Sequence, residues 1–299
     1  MRRALCLAVA VMGLTGEAIA GQTQPQSQSR GADIVVTGQR PSTKADIRHL
    51  TSQVMAIGDA TEAVARFDGP VCPTAIGMAH EFDDRVARRI ADDAREAGIA
   101  VGNDGCRPNI TIVFIENGQA LVREIRRSHA DLFGDMEPRA IKRLADDPGP
   151  IHSWTITETT SRDGDKLRVG TTTGVRAPEL QVRSASIIAL TTKRNILATI
   201  LIVDIPAAIG KGLDQIADYA TMRTLAQTRS PMSDKAAGDT ILRLFQQGDR
   251  LPPPGLTLFD RNYLRALYLG QGTEAPFAKA SEIADRINKA LSGSLPRPR

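Results

Sequence analysis

The chain has 299 residues, 41% of them hydrophobic but only 4% aromatic, and a formal net charge of +4. That length admits one large domain or two small ones around an aliphatic core. No block of five or more like charges occurs, which argues against a nucleic-acid surface. After residue 20 no apolar stretch approaches the roughly 20 residues of a membrane-spanning helix.

Arg2 and Arg3 open the chain, an apolar run follows from Ala4 to Gly16, and Ala18-Ile19-Ala20 forms a small-x-small site before Gly21. This order predicts a secretory signal peptide over residues 1–20, cleaved after Ala20, and so a periplasmic or secreted protein. Cys6 stands too early to be a lipoprotein's acceptor cysteine. Two cysteines then survive processing, Cys72 and Cys106. In an oxidising compartment an isolated pair predicts a disulfide, whose loop of about 35 residues contributes roughly 3–4 kcal/mol by the chain-entropy model. Residues 21–41 read as a polar, Gln/Ser-rich disordered linker. Within it, Asp33-Ile34-Val35-Val36-Thr37-Gly38-Gln39-Arg40 resembles the TonB box of Gram-negative outer-membrane receptors. The resemblance implies an envelope partner that residues 33–40 meet by strand addition. No receptor barrel follows, because the alternating strands a barrel needs are missing. A tether or a first strand of the folded domain is the alternative reading.

A single α+β domain is expected over residues 42–292, with a flexible tail at 293–299. Ser42 is the predicted N-cap of a helix running to about Ala60, with Ile47, Leu50, Val54 and Ile57 on one face. An extended piece, Arg66 to Cys72, leads to a helix at about 81–97. There Phe82, Val86, Ile90 and Ala94 form the apolar stripe, and Asp83, Arg88, Arg89, Asp92 and Glu96 face solvent; Gly98 stops it. The β-branched run Asn109–Ile115 is a strand. Helices follow at 117–133 and 137–146, the second opened by Glu137-Pro138. Strands are expected at 151–160, 183–190 and 195–205, with residues 161–180 a hairpin tip or flap. Helices at 212–227, 238–247, 259–269 and 278–291 fill the C-terminal third. A small mixed sheet flanked by helices results.

The chain lacks G-x-S-x-G, S-x-x-K, C-x-x-C and H-E-x-x-H. Gly210-Lys211-Gly212 lacks the remaining glycine and Ser/Thr of a phosphate loop and reads as a turn. His80, Glu81 and Asp84 are better explained as the start of a helix than as metal ligands. His49, His80, His129 and His152 are scattered, and no histidine follows His152.

Four segments carry a second resemblance: Arg66-Phe67-Asp68-Gly69-Pro70-Val71, the helix ending in Ala97-Gly98-Ile99, the Asn109–Ile115 strand, and Leu258-Phe259-Asp260-Arg261-Asn262-Tyr263-Leu264-Arg265-Ala266-Leu267-Tyr268. Their order over about residues 66–291 resembles an uncharacterised family of secreted bacterial proteins with a zincin-like (metallopeptidase-like) layout. In that family a His-Glu pair opens the helix after the long apolar strand. The comparable helix here begins Gly212-Leu213-Asp214-Gln215-Ile216-Ala217-Asp218 and has neither residue. Zinc needs imidazole or thiolate donors, usually three from the protein in a catalytic site. Asp214 and Asp218, one turn apart, suit calcium or magnesium better. The resemblance thus implies a degenerate scaffold without peptidase chemistry, metal or cofactor.

Leu213, Ile216, Ala217 and Ala220 make an ordinary core stripe, and Tyr263, Leu264, Leu267 and Tyr268 a packing face. A cleft beside the 212–227 helix would draw on Asp218, Tyr219 and Arg223. Three functional readings follow from the sequence. The first is a non-enzymatic binding or envelope-interaction protein. The second is a secreted hydrolase with a carboxylate-based site, at Asp218 or Asp204, covered by residues 161–180. The third is an accessory of TonB-dependent uptake.

Overall fold

Ile110–Ile115 is apolar or β-branched at every position, the signature of a strand covered on both faces. In a computed structural model of the chain this segment is the interior strand β2. The structure describes residues 43–56, 61–166, 168–172, 175–179, 189–231, 239–247 and 251–294, all within one compact unit spanning Pro41–Arg299. The expected signal peptide, with Ala18, Ala20 and Gly21, and the 33–40 segment, with Asp33, Ile34, Val35, Val36 and Thr37, lie outside the described residues. So do Ser42, Ile57 and most of the expected 183–190 strand.

The described residues form an α+β fold with a four-stranded mixed sheet in the order β1-β2-β6-β3. β1 (Pro73–Ile76) pairs parallel with β2, starting at Pro73 opposite Ile110. β6 (Thr192–Asp204) runs parallel to β2 on its other side, from Thr199 opposite Ile110 to Asp204 opposite Ile115. β3 (Ile151–Ser161) closes the sheet antiparallel to β6. β4 (Arg168–Thr172) and β5 (Val175–Glu179) form a separate antiparallel pair, so residues 161–180 contain a hairpin.

Side-chain alternation divides β2 and β6 between two cores. Ile110, Ile112 and Phe114 of β2, with Leu201 and Val203 of β6, point into the larger one. Its helices are α1 (Lys44–Val54), α2 (His80–Glu96), α6 (Leu213–Leu225), α7 (Leu258–Tyr268) and α8 (Pro276–Ser294). On the opposite face Ile202 and Trp154 meet α3 (Gly118–Ser128) and α4 (Pro138–Asp146). Trp154 is anchored there by Phe133, ring centroids 5.0 Å apart, and by its indole N–H donating to the Leu132 carbonyl at 2.9 Å.

Several local expectations shift. The N-cap of α1 is Thr43, whose hydroxyl accepts the Asp46 N–H while Asp46 accepts the Thr43 N–H; this capping box lies one residue past Ser42. The 117–133 helix breaks at His129 into α3 and a 3-10 turn, Ala130–Phe133. The expected 238–247 helix is a single 3-10 turn at Ile241–Arg243, opened by the Thr240 hydroxyl. The 195–205 strand starts earlier, at Thr192, and a short α5 (Ile205–Ala208) takes over after Asp204.

On α2, Phe82 is 46% exposed while Asp83 is buried. Asp83 turns inward because its carboxylate accepts the Met78 N–H ahead of the helix, displacing Phe82 from the stripe. Arg89 is only partly exposed, because it reaches across to α6. Gly98, at φ +83°, ends the helix in a conformation that costs other residues strain.

Cys72 and Cys106 are disulfide-bonded, with Cα atoms 6.1 Å apart. The bridge ties the starts of the neighbouring parallel strands β1 and β2. Asn109 secures the same corner by accepting the Cys72 N–H at 2.7 Å and donating to the Pro70 carbonyl at 3.0 Å.

Candidate functional site

β3 is the last strand of the main sheet, and among the described residues no strand pairs with its outer edge. Five consecutive β3 residues, Thr155 to Thr159, line a groove of about 780 Å³. An unpaired strand edge presents backbone N–H and C=O groups that need partners. The outward-facing backbone groups of β3 are therefore available along the groove.

Its shape comes from an irregularity in the neighbouring strand. Ile156 pairs with Ala198 but Thr157 pairs with Ile196, leaving Leu197 as an extra residue in β6. Such a bulge kinks a strand and re-aims a side chain. Ile196 is buried in the large core, whereas Leu197 is 48% exposed in the groove wall. The opposite lip is Gly134–Met136, which follows the 3-10 turn. A Cβ on Gly134 would stand 2.9 Å from an Ile156 methyl, and its φ is +59°, so only glycine lets the chain pass this close to β3.

Two of the three carboxylates lining the groove are paired, and Asp135 on the far lip adds a third without a cation partner among the described residues. Arg194 pairs with Glu62 at 2.9 Å and donates to the Thr157 hydroxyl at 3.3 Å. Lys166 pairs with Glu158 at 2.9 Å. The two pairs cancel and Asp135 leaves one excess negative charge, so a ligand here is selected by shape, by backbone hydrogen bonding and by tolerance of that carboxylate. The floor includes Gln227, the one non-glycine with positive φ (+45°) among the described residues. It follows the C-cap of α6, where glycine is the usual choice. The strain is held at the groove rather than relieved by a glycine.

The residues singled out on α6 behave differently. Asp218 is fully buried and accepts three hydrogen bonds: from Arg89 Nε at 2.6 Å, Arg89 Nη2 at 3.1 Å and the Leu256 N–H at 2.7 Å. Asp214 is gripped by Arg85 in the same two-pronged way, at 2.9 and 2.8 Å. Arg85 holds its carboxyl below the ordinary range. Beneath them Asp93 of α2 accepts the Thr221 hydroxyl at 2.8 Å and lies 3.6 Å from Arg89. Burial, and then the charge of Asp218, push the Asp93 carboxyl up to about 7. One guanidinium thus serves two buried carboxylates, a ladder that zips α2 to α6.

Tyr219 is also buried, its ring edge-on to Phe245 at 4.8 Å. Arg223 is half-buried, donating to the Tyr219 hydroxyl at 3.2 Å and to Ser153 Oγ of β3 at 2.5 Å. The three expected cleft residues share a helix but belong to its packing, and the groove lies elsewhere.

Asp204 accepts the Gly118 N–H at 2.7 Å and so anchors the start of α3. His80 is 91% exposed by side chain and pairs with Asp84 at 3.4 Å at the first turn of α2. His152 is buried, and burial lowers its pKa against the opposing charges of Asp147 and Asp204. No group of three His, Cys, Asp or Glu able to hold a metal occurs among the described residues. The two carboxylates of α6, each already bound by an arginine, do not fit the imidazole or thiolate donor set that zinc requires.

Sequence reasoning missed Leu197, Gln227 and the Arg89–Asp93–Asp218 ladder. Leu197 sits inside a continuous apolar run, where a bulge leaves no trace. Arg85, Arg89 and Asp93 recur every fourth residue on α2, as Asp214 and Asp218 do on α6. That matched spacing was the available signal for helix-to-helix pairing.

Comparison with family models, with curated proteins and with solved structures found no match for this chain.

Proposed function

We propose that this chain is a non-enzymatic binding protein of the periplasm or the exterior, on a degenerate metallopeptidase-like scaffold, that takes an extended polypeptide along the outer edge of β3. One observation carries the reading: five consecutive residues of an unpaired edge strand line a single groove. A strand laid beside β3 satisfies the free backbone groups and gains affinity from the main chain, with alternate side chains supplying specificity. Met136 and Leu197 offer apolar contact to such side chains. The disulfide supports exposure to an oxidising compartment.

A hydrolase centred on Asp218 or Asp204 gains no such support, because both carboxylates are committed to holding helices. The TonB-linked reading rests on residues 33–40, outside the described residues.

Panning a random-peptide library on the purified, oxidised protein tests the proposal. Enriched peptides are expected to bind with Kd values in the micromolar range, and Leu197→Glu, at an exposed position, should weaken them at least tenfold. Peptides that bind the variant as well as the parent would refute the groove as the site.

A further inference from the structure

α3 and α4 both carry basic residues spaced i, i+3, i+4: Arg123, Arg126 and Arg127 on the first, Arg139, Lys142 and Arg143 on the second. The last-turn arginines of α3 suit the negative end of the helix dipole. That does not account for Arg123, one turn earlier, nor for the recess these side chains enclose. The recess, about 620 Å³, is walled by Ala120, Arg123, Arg126, Arg127 and Asp146.

Its hydrogen-bond inventory is unbalanced. Arg123 uses only Nε, on the Ala145 carbonyl at 3.0 Å. Among the described residues neither of its terminal amino groups has a protein acceptor. Among the described residues no carboxylate lies within ion-pair distance of Arg126. Arg127 is paired with Glu124, and Lys142 with Asp146 at 2.5 Å. Several arginines elsewhere are matched to carboxylates: Arg85 to Asp214, Arg89 to Asp218, Arg194 to Glu62, Arg265 to Glu96 and Arg286 to Glu282. Four cations against Glu124 and Asp146 leave the recess with an excess charge of about two and unused planar donors.

We propose that this recess binds a phosphate-bearing ligand with at least two negative charges, gripped by the guanidinium groups of Arg123 and Arg126. The planar donor fork of arginine matches phosphate oxygens in pairs, which a lysine ammonium does not. Asp146 holds Lys142 at the rim, and the remaining excess of about two positive charges favours a dianion over a monoanion. The site is separate from the groove on β3.

Isothermal titration with inorganic pyrophosphate, and co-sedimentation with phosphatidylcholine vesicles containing phosphatidic acid, test the proposal in the oxidised full-length mature protein at 150 mM salt. Binding of either probe is expected, weakened at least tenfold in Arg126→Gln and further in Arg123→Gln/Arg126→Gln, as loss of charge-assisted hydrogen bonds requires. These positions are exposed, and circular dichroism of each variant checks that it is folded. Arginine-dependent binding of pyrophosphate identifies a soluble source. Arginine-dependent binding of vesicles alone identifies a lipid headgroup. Failure of both probes to bind, or equal binding by the parent and Arg126→Gln, overturns the proposal.

Discussion

Replacing Arg89 with methionine removes the cation that two buried carboxylates share. Asp218 and Asp93 have side chains 1% and 3% exposed, whereas that of Arg89 is 35% exposed. Breaking a buried ion pair by deleting one partner costs about 3–5 kcal/mol. Water reaching the vacated side of Arg89, together with the retained Leu256 N–H bond to Asp218, places the expected cost near the lower figure, about 3 kcal/mol. The cost should depend on pH. Burial, and then the charge of Asp218, push the Asp93 carboxyl up to about 7 in the folded protein, from an ordinary 3.8. The folded state therefore keeps a proton that the unfolded chain has released, and this group's contribution to stability is lost as pH rises from about 4 through 7. At pH 8 the variant confronts two uncompensated carboxylates; at pH 5 Asp93 is already neutral. Urea unfolding followed by circular dichroism should show the larger loss at pH 8. Adding Asp93→Asn to Arg89→Met should recover at least about 1 kcal/mol. A loss below about 1 kcal/mol at pH 8, or a larger loss at pH 5, would refute the ladder as a shared-charge network.

Three further outcomes are expected. Reducing the disulfide, whose cysteines are 34 residues apart, should lower stability by about 4 kcal/mol in urea titrations with and without reductant; a change under about 1 kcal/mol would contradict the stapling of β1 to β2. Burial depresses the pKa of His152 while Asp147 and Asp204 oppose that shift. The unfolded chain therefore takes up a proton first, and stability should fall as pH drops below about 6.5. His152→Leu should flatten that acid limb, and an unchanged limb would assign it to other groups. Gln227→Gly should raise the urea midpoint, since a left-handed non-glycine costs about 1 kcal/mol. The same variant should weaken peptide binding, because Gln227 lines the groove.

Much of the fold was legible because its determinants are local. The stripe Val86, Ile90 and Ala94, the stop at Gly98 and the β-branched run before Glu116 each carry their own signal, and the structure places helix and strand there. The cysteine pair was readable from count and compartment. Long-range determinants were not. Asp218 looked like a cleft residue because nothing on its own helix reveals that Arg89, 129 positions earlier, binds it. Asp83 looked solvent-facing because the Met78 N–H that turns it inward is a backbone group with no sequence signature. The groove was illegible for the same reason: it is made by strand order, by one extra residue in β6 and by a helix that stops on Gln227 rather than glycine.

Amide hydrogen exchange of the oxidised protein, with and without a peptide enriched on it, tests the β3 edge most directly. Strand addition predicts new protection concentrated in those backbone amides of residues 155–159 that point away from β6, with that protection lost in Leu197→Glu. Protection that appears elsewhere while those outward amides exchange at their unliganded rates would contradict the assignment of the groove as the binding surface.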